Sequence, residues 1–254
     1  MIDYELRDGA AWITLTDGDG GNTLTAASGA ELLAVVRRAH ADLARVIVLR
    51  ATGRFFSAGG DIGGFASLED VGAGVDDLAE LLHRIVSELV RSDAVVVSAV
   101  HGVAAGAGFP LAAAADVVLA GESARFTLGY TRIGFSVDGG SSLLVHTLGL
   151  HRALRLALLN DVLTAAEAQA AGLVARVVPD DELAAATERV VDGLLSGPAA
   201  AQADVERLMR EAVEPAPETA LRRETLAIRR NAATPDGREG VAAFLDKRPP
   251  RFRH

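Results

Sequence analysis

Hydrophobic and polar residues alternate at the start of the chain. The alternation runs over Ile2–Arg7, stops at Asp8-Gly9 and resumes over Ala10–Thr16. Asp-Gly between two alternating segments is typical of a two-residue hairpin turn, because both turn positions need a positive φ. The pattern therefore predicts an N-terminal β-hairpin.

Three later segments are apolar apart from Ser98, and amphipathic segments precede two of them. The apolar segments are Val46–Leu49, Val95–Val100 and Val117–Ala120, and the amphipathic ones are Thr25–Ala41 and Asp76–Arg91. Wholly apolar strands are typical of a parallel sheet that is buried on both faces, with helices as the crossovers. The pattern predicts an α/β fold.

Beyond Gly149 the pattern becomes mainly helical. Thr164 and Glu167 form a capping-box pattern, and the segment 173–178 reads as a short strand. The further helices that we predict are Asp181–Leu195, Ala199–Val213, Thr219–Asn231 and Glu239–Asp246. The turn at 214–218 is too short to be a linker. We therefore predict one continuous domain, with an α/β core over residues 1–195 and a C-terminal helical region over residues 196–254.

Composition narrows the possible functions. The chain has 254 residues, is half hydrophobic, carries a net charge of −9 and has no cysteine. The negative charge disfavours nucleic-acid binding and binding to anionic membranes. The absence of cysteine excludes disulfides and thiolate chemistry. Because the first residues do not resemble a signal peptide, we expect a cytoplasmic protein without a membrane span.

Two glycine-rich segments follow buried strands: FSAGGDI at residues 56–62 and HGVAAGAG at residues 101–108. Small residues let a ligand approach backbone N–H groups closely, and two such groups aimed at one point form an oxyanion hole. A phosphate cradle is the competing interpretation, but neither segment fits GxGxxG and no GK[ST] occurs. From these residues alone, close packing of small side chains remains the commoner explanation.

Five segments occur in the order of a known family: FSAGGDI, HGVAAGAGFPLAAAADVVLA, RFTLGYTRIGFSVDGGSSLLVHTLG, TAAEAQAAGLVARVVP and EGVAAFLDKRPPRF. They resemble the crotonase family, the enoyl-CoA hydratase/isomerase superfamily. The resemblance implies the ClpP/crotonase fold, a β-β-α superhelix with a C-terminal helical trimerisation region. It also implies an acyl-CoA thioester as substrate, no separate cofactor, and a homotrimer or a hexamer built as a dimer of trimers.

The resemblance assigns the two oxyanion N–H groups to Gly60 and Ala107. The family usually has glycine at the second position, and alanine still donates an N–H. Hydratases of the family carry two glutamates, and the matching positions here are Pro110 and Tyr130. Loss of both carboxylates argues against ordinary water addition, which depends on them to transfer protons. Both residues remain candidates for lining the acyl pocket.

One carboxylate remains in the matching region, Asp138 in GFSVDGG. Family members that shift double bonds or dehalogenate aryl-CoA resemble this chain in having an aspartate there. Asp before Gly-Gly is also a good turn or helix-capping residue, so that interpretation stays open. We predict double-bond isomerisation with Asp138 as acid and base. The alternatives are a hydratase with non-standard residues, a hydrolase or dehalogenase-like enzyme, and a non-catalytic CoA-binding subunit.

Further candidates are weaker. His83 matches a pocket-facing position of the dehalogenase-like relatives, but a packing or surface histidine is the commoner case. The resemblance also predicts a CoA contact at Arg54, Ala58, Phe244 and Lys247. We expect structural roles for Asp61, Asp116 and His146, and no metal site, because no cluster has ligand spacing. The loop 65–74 is expected to shape the acyl pocket.

Overall fold

The computed structural model describes residues 2–66, 69–214 and 216–252. Its strands are β1 (Ile2–Arg7), β2 (Ala10–Leu15), β3 (Val46–Ala51), β4 (Phe55–Ser57), β5 (Val95–Val100), β6 (Val103–Ala105), β7 (Val117–Gly121), β8 (Arg125–Thr127), β9 (Leu163–Thr164) and β10 (Arg176–Val178). Its α-helices are α1 (Ala26–Ala41), α2 (Ile62–Ala66), α3 (Val71–Val90), α4 (Gly108–Ala113), α5 (Leu144–Leu148), α6 (Leu150–Leu159), α7 (Ala165–Ala170), α8 (Leu183–Leu195), α9 (Ala199–Val213), α10 (Pro217–Ala232) and α11 (Pro235–Leu245). Short 3-10 helices lie at Tyr130–Ile133, Ser141–Leu143 and Asp180–Glu182.

The main sheet has six strands in the order β1-β2-β3-β5-β7-β10. β1 and β2 form the predicted antiparallel hairpin, and Asp8 and Gly9 both have positive φ in its turn. The other strands are parallel. Alternate residues of β3 belong to different clusters, Ile47 packing on the side of α1 and α3 and Val48 on the side of α8. Burial on both faces explains why the central strands are mainly apolar.

A second sheet of four short strands, β4-β6-β8-β9, was not predicted. β4 and β6 lie inside the two glycine-rich segments and pair in parallel. Runs of three residues are too short to give a periodic signal. This sheet brings the ends of the two segments together.

Two helices start four or more residues earlier than predicted. α3 begins at Val71 rather than Asp76, because the Asp70 side chain accepts a hydrogen bond from the Ala73 N–H. α11 begins at Pro235 rather than Glu239, because Thr234 caps it and proline suits the first helical position. Both starts follow ordinary capping chemistry. Within the described part of the chain, no helix has the length and apolar character needed to cross a membrane.

The C-terminal helices pack on the core rather than apart from it. α10 lies along α3 and buries Leu221, Thr225 and Ile228, while α11 packs on α2 and on the 3-10 helix at Tyr130–Ile133. The division into a core over 1–195 and a helical region over 196–254 remains a prediction, but α10 contributes side chains to the site described next.

Candidate active site

The two glycine-rich turns pack directly against each other. Gly59 has φ +92°, and a β-carbon there would lie 2.7 Å from the Ala105 carbonyl oxygen and 3.2 Å from the Gly106 Cα. A side chain at position 59 would therefore separate the turns. Glycine is needed here both for the positive φ and for the close approach.

The two predicted donors sit at this junction. Among the described residues, no hydrogen bond uses the N–H of Gly60 or of Ala107. The neighbouring groups are satisfied: Leu24 N–H donates to the Gly59 carbonyl at 2.8 Å, and Gly106 N–H donates to the Thr127 carbonyl at 3.0 Å. Ala107 adopts ordinary right-handed geometry at the start of α4, so alanine imposes no strain there. Neighbouring turns thus hold two backbone N–H groups that the described part of the chain leaves without an acceptor, as the predicted oxyanion hole requires.

Asp138 stands beside the second donor. The next residue, Gly139, has φ +69°, and a β-carbon there would lie 3.1 Å from the Ala107 Cβ and 3.5 Å from the Pro110 Cγ. The Asp138 carbonyl accepts hydrogen bonds from the Tyr130 hydroxyl at 3.0 Å and the Ser141 hydroxyl at 2.6 Å. The backbone of Asp138 is therefore held firmly, one residue from the contact with Ala107.

Asp138 caps no helix, although it begins a turn in which the Ser141 N–H donates to its carbonyl at 3.3 Å. The 3-10 helix at Ser141–Leu143 has Gly140 at its N-cap and no side-chain cap. Instead, the Asp138 side chain faces α3 and is only 4% exposed. There its Oδ1 lies 2.9 Å from His83 Nε2. At this distance the carboxylate and the imidazole form an ion-pair contact, although their geometry is not that of a well-aligned hydrogen bond.

His83 is thus a buried partner of Asp138 and not a surface residue. Its other ring nitrogen, Nδ1, lies 2.9 Å from the Thr225 hydroxyl, which also contacts the Leu221 carbonyl at 3.4 Å. This chain of contacts fits a protonated imidazole, whose Nδ1 donates to Thr225 while Thr225 donates to Leu221.

Glu224, which no sequence motif pointed to, completes the cluster. Its Oε2 lies 3.6 Å from His83 Nε2. The same oxygen accepts a hydrogen bond from the Gly140 N–H at 2.8 Å, and Oε1 accepts one from the Ser142 N–H at 2.6 Å. A signal for it existed: Leu221, Glu224, Thr225 and Ile228 have the spacing of one helix face, so two polar residues occupy core-facing positions.

The cluster shifts the pKa values of its members. Burial lowers the pKa of His83, but the carboxylates of Asp138 and Glu224 outweigh it and raise that pKa to about 9. Burial raises the pKa of Asp138 above the ordinary carboxyl value, while His83 partly offsets the rise. Burial, with the nearby carboxylates of Asp138 and Glu224, also raises the pKa of Tyr130 well above its usual value, so its hydroxyl stays neutral.

The sequence spacing predicted no metal site, yet His83, Asp138 and Glu224 come together although they are far apart in the sequence. One potential ligand atom from each lies within 4.8 Å of the other two. Such groups can bind a divalent cation. Here both carboxylates face the imidazole directly, so a proton on His83 balances part of their charge.

Neither hydratase-glutamate position carries a carboxylate. Pro110 is buried in α4, and it borders a cavity of about 810 Å³ between the core and α9. Tyr130 is half-buried and turns its hydroxyl to the Asp138 backbone. Both lie beside the Asp138 turn, but Asp138, Gly60 and Ala107 do not line that cavity, so the pocket-lining role of the two residues stays a prediction.

The predicted CoA-binding residues lie on the surface. Arg54 and Ala58 are exposed, and the Arg54 guanidinium lies 5.5 Å from the Phe55 ring centroid. Phe244 and Lys247 are exposed at the end of α11. The end of α11 lies close to α2, the helix that follows the first glycine-rich segment of the same chain. A β-carbon at Gly63 in α2 would lie 3.9 Å from the Leu245 side chain.

The remaining candidates have structural contacts. Asp61 accepts a hydrogen bond from the Gly64 N–H at 3.0 Å, and Asp116 pairs with Arg210 at 2.6 Å. His146 lies 3.6 Å from Glu214. In the expected pocket loop, 65–66 belong to α2 and 71–74 to α3, while residues 67 and 68 lie outside the described residues.

Comparison with known proteins decides the family. The family described as enoyl-CoA hydratase/isomerase matches residues 5–254. The chain belongs to the enoyl-CoA hydratase/isomerase family. It is 38% identical to a protein of Rhodobacter capsulatus named "Probable enoyl-CoA hydratase", with 99% of this chain and 97% of the relative covered. It is 33% identical to the 1,2-epoxyphenylacetyl-CoA isomerase of Escherichia coli, with 97% and 96% covered.

Solved structures of family members share the architecture. The crystal structure of an enoyl-CoA hydratase from Mycobacterium avium subsp. paratuberculosis superposes with a TM-score of 0.90 at 36% identity, covering 100% of this chain and 98% of that one. The predicted crotonase fold is therefore confirmed, and the protein is an enzyme of this superfamily. The site residues themselves remain predictions that the geometry supports.

Proposed function

We propose that this family member is an enoyl-CoA isomerase in which Asp138 moves the proton. The observation that carries the proposal is the position of Asp138: it is the only carboxylate at the three family positions considered, 110, 130 and 138, and the adjacent Gly139 packs against Ala107. One carboxylate suffices for isomerisation, because the proton removed at one carbon is returned at another.

The reaction starts with the thioester carbonyl oxygen between the N–H groups of Gly60 and Ala107. For a cis-3-enoyl-CoA, the Asp138 carboxylate takes a proton from C2, and the C–H electron pair forms a dienolate whose negative charge lies on the thioester oxygen. The protonated Asp138 then returns the proton to C4, and the double bond moves to C2–C3. Each oxyanion donor contributes about 3–4 kcal/mol in enzymes of this type.

The state of Asp138 suits both steps. Burial raises the pKa of Asp138, which makes it a stronger base than an exposed carboxylate. The pairing with His83 partly offsets that rise and favours the ionised form of Asp138. A carboxyl group whose pKa is raised above the ordinary value takes up a proton more readily, and as the acid it can return that proton. The neutral hydroxyl of Tyr130 stabilises the turn without competing for that proton.

The substrate is held by its CoA moiety. Arg54 and Lys247 are cations that can meet the phosphates, and Phe244 offers an aromatic face to the adenine. We propose that CoA is present only as part of the substrate and that the reaction needs no further cofactor. The isomerase from Escherichia coli, which acts on an epoxyphenylacetyl-CoA by its name, extends the candidate substrates to ring-type acyl groups.

A substrate panel tests the proposal. Cis-3-enoyl-CoA, trans-2-enoyl-CoA and phenylacetyl-type CoA esters are assayed by absorbance, and each product is identified by mass. Isomerisation without addition of water is expected. Efficient hydration of trans-2-enoyl-CoA would instead support a hydratase with non-standard residues, the function named for the relative from Rhodobacter capsulatus. Release of free CoA or halide would indicate a hydrolase or dehalogenase-like enzyme, and tight binding without turnover a non-catalytic subunit.

A further inference from the structure

We propose that Glu224 is a positioning residue for this reaction, which fixes the turn that carries Asp138 and keeps His83 charged beside it. The proposal rests on the proposed role of Asp138. Glu224 comes from α10, in the C-terminal helical region, and is 5% exposed. No resemblance or comparison assigns a role to this position.

The first effect is mechanical. The two carboxylate oxygens accept hydrogen bonds from the N–H groups of Gly140 and Ser142, at 2.8 and 2.6 Å. Gly140 and Ser142 come two and four residues after Asp138 in the chain. A buried carboxylate that accepts two backbone hydrogen bonds fixes the backbone strongly, because charge-assisted bonds are about twice as strong as neutral ones. Glu224 therefore keeps Gly139 against Ala107, and with it the spacing between Asp138 and the second oxyanion donor.

The second effect is electrostatic. His83 Nε2 lies 2.9 Å from Asp138 and 3.6 Å from Glu224, and all three side chains are buried. A neutral imidazole would leave two negative charges in the core, whereas a protonated one leaves a single negative charge. Burying unpaired charge is costly, so the second carboxylate favours the proton on His83. The charged His83 in turn keeps Asp138 ionised in its buried position.

Six of the seven other charged groups near His83 form ion pairs with one another, and among the described residues Arg84 is the exception. A cavity of about 400 Å³ on its outer side is lined by charged residues of α1, α3 and α10, namely Arg37, Glu80, Arg84, Glu88, Arg91, Glu218 and Arg222. Among these, Arg37 pairs with Glu88, Arg91 with Glu218 and Arg222 with Glu80. Because these pairs are partly exposed to solvent, water and salt screen them more than the buried carboxylates. Tyr130, the remaining titratable group at the turn, stays neutral.

The test compares Glu224→Gln with Glu218→Gln, a control on the same helix whose wild-type partners are Arg91 and Ser87. In the wild type, kcat for isomerisation should fall as the pH rises through about 9, where His83 loses its proton. In Glu224→Gln this alkaline limb should move down by about one pH unit and kcat should fall about tenfold at neutral pH. Glu218→Gln should leave the limb in place. A loss of kcat in Glu224→Gln at every pH, with an unmoved limb, would overturn the electrostatic role.

A second measurement does not depend on activity. NMR titration of the His83 ring should show it protonated at pH 7 in the wild type and titrating at lower pH in Glu224→Gln. Glu224→Asp keeps the charge, so it should retain most of the wild-type titration while losing kcat. A wild-type His83 that is neutral at pH 7, or one that binds a divalent cation and does not titrate, overturns the proposal even if Glu224→Gln does not fold. If isomerisation survives Asp138→Asn, the proposed function fails, and the His83 titration still reports on Glu224.

Discussion

The single residues that matter here are polar groups inside an apolar core. His83 bonds Thr225 through one ring nitrogen and contacts Asp138 through the other. Its pKa in the folded protein, about 9, exceeds the ordinary value of 6.5. A histidine of this kind binds its proton more tightly when folded, so protonation stabilises the fold.

This predicts a pH-dependent stability that His83→Gln removes. The contribution of His83 is fully present below about pH 6.5 and is lost as the pH rises through about 9, with a slope of up to about 1.4 kcal/mol per pH unit. Urea unfolding from pH 6 to 9.5 measures it. Glu206, whose pKa burial raises to about 8, titrates in both proteins, so the difference between them reports His83 together with the carboxylates that it faces. Equal slopes in the two proteins would contradict the assignment.

At this scale the sequence named most of the candidate site. The resemblance pointed to Gly60, Ala107 and Asp138 through motifs that are contiguous in the chain, and to His83 as a possible pocket residue. Glu224 was not named, because only the packing of α3 against α10 brings it and His83 to Asp138. No local pattern contains that contact, although polar residues at core-facing positions of α10 marked the place.

At the scale of elements, α10 is both a packing helix and a source of site residues. Its inner face buries Leu221, Glu224, Thr225 and Ile228 against α3 and the Asp138 turn. Ile228 is 4% exposed, whereas Leu226 on the same helix is 51% exposed. The stability of this face should therefore decide how firmly Glu224 and Thr225 are held.

Ile228→Ala should destabilise the protein by about 2–5 kcal/mol, because it leaves a cavity under α10. Its kcat should fall as well, since Glu224 lies one turn away. Leu226→Ala, the matched control, should change stability by less than about 0.5 kcal/mol and leave kcat unaffected. Thermal unfolding and steady-state kinetics check both variants. If Ile228→Ala lowers stability without any effect on kcat at temperatures where it is folded, the site does not depend on α10 packing.

The elements that the sequence predicted well are those whose hydrophobic pattern continues along their whole length. β5 was predicted from its apolar run, and α9 has the predicted bounds Ala199–Val213. β4 and β6 were not predicted, because a strand of three residues at a glycine-rich segment is too short to show a regular alternation of hydrophobic and polar positions. The early start of α3 was missed because its first turn contains two glycines and only the cap at Asp70 marks it.

The whole molecule has apolar helix faces that its own chain leaves uncovered. In α6, Leu150, Leu154 and Leu158 share one face and are 54%, 42% and 64% exposed. In α9, Leu208 and Met209 are also largely exposed. Exposed apolar faces of this kind are typical of subunit interfaces, which supports the expected homotrimer or hexamer.

We expect the double variant Leu154→Glu/Leu158→Glu to be smaller in solution than the wild type. Assembly through the α6 face would bury the two introduced charges, and the contacts of the interface would not offset the free-energy cost of that burial. Leu43→Glu is the control, because Leu43 is 84% exposed in a turn outside these faces. Sedimentation velocity distinguishes the species. A wild type that sediments as a monomer, or a double variant with unchanged mass, would exclude α6 from assembly.

The central claim is that Asp138 transfers the proton next to two backbone donors. The most direct test is the kcat of Asp138→Asn for conversion of cis-3-enoyl-CoA to trans-2-enoyl-CoA, after circular dichroism has verified that the variant is folded. Asparagine preserves the size of the side chain but cannot take up a proton, so a loss of about 10²–10⁴-fold is predicted. A folded Asp138→Asn variant that isomerises at the wild-type rate would contradict the account.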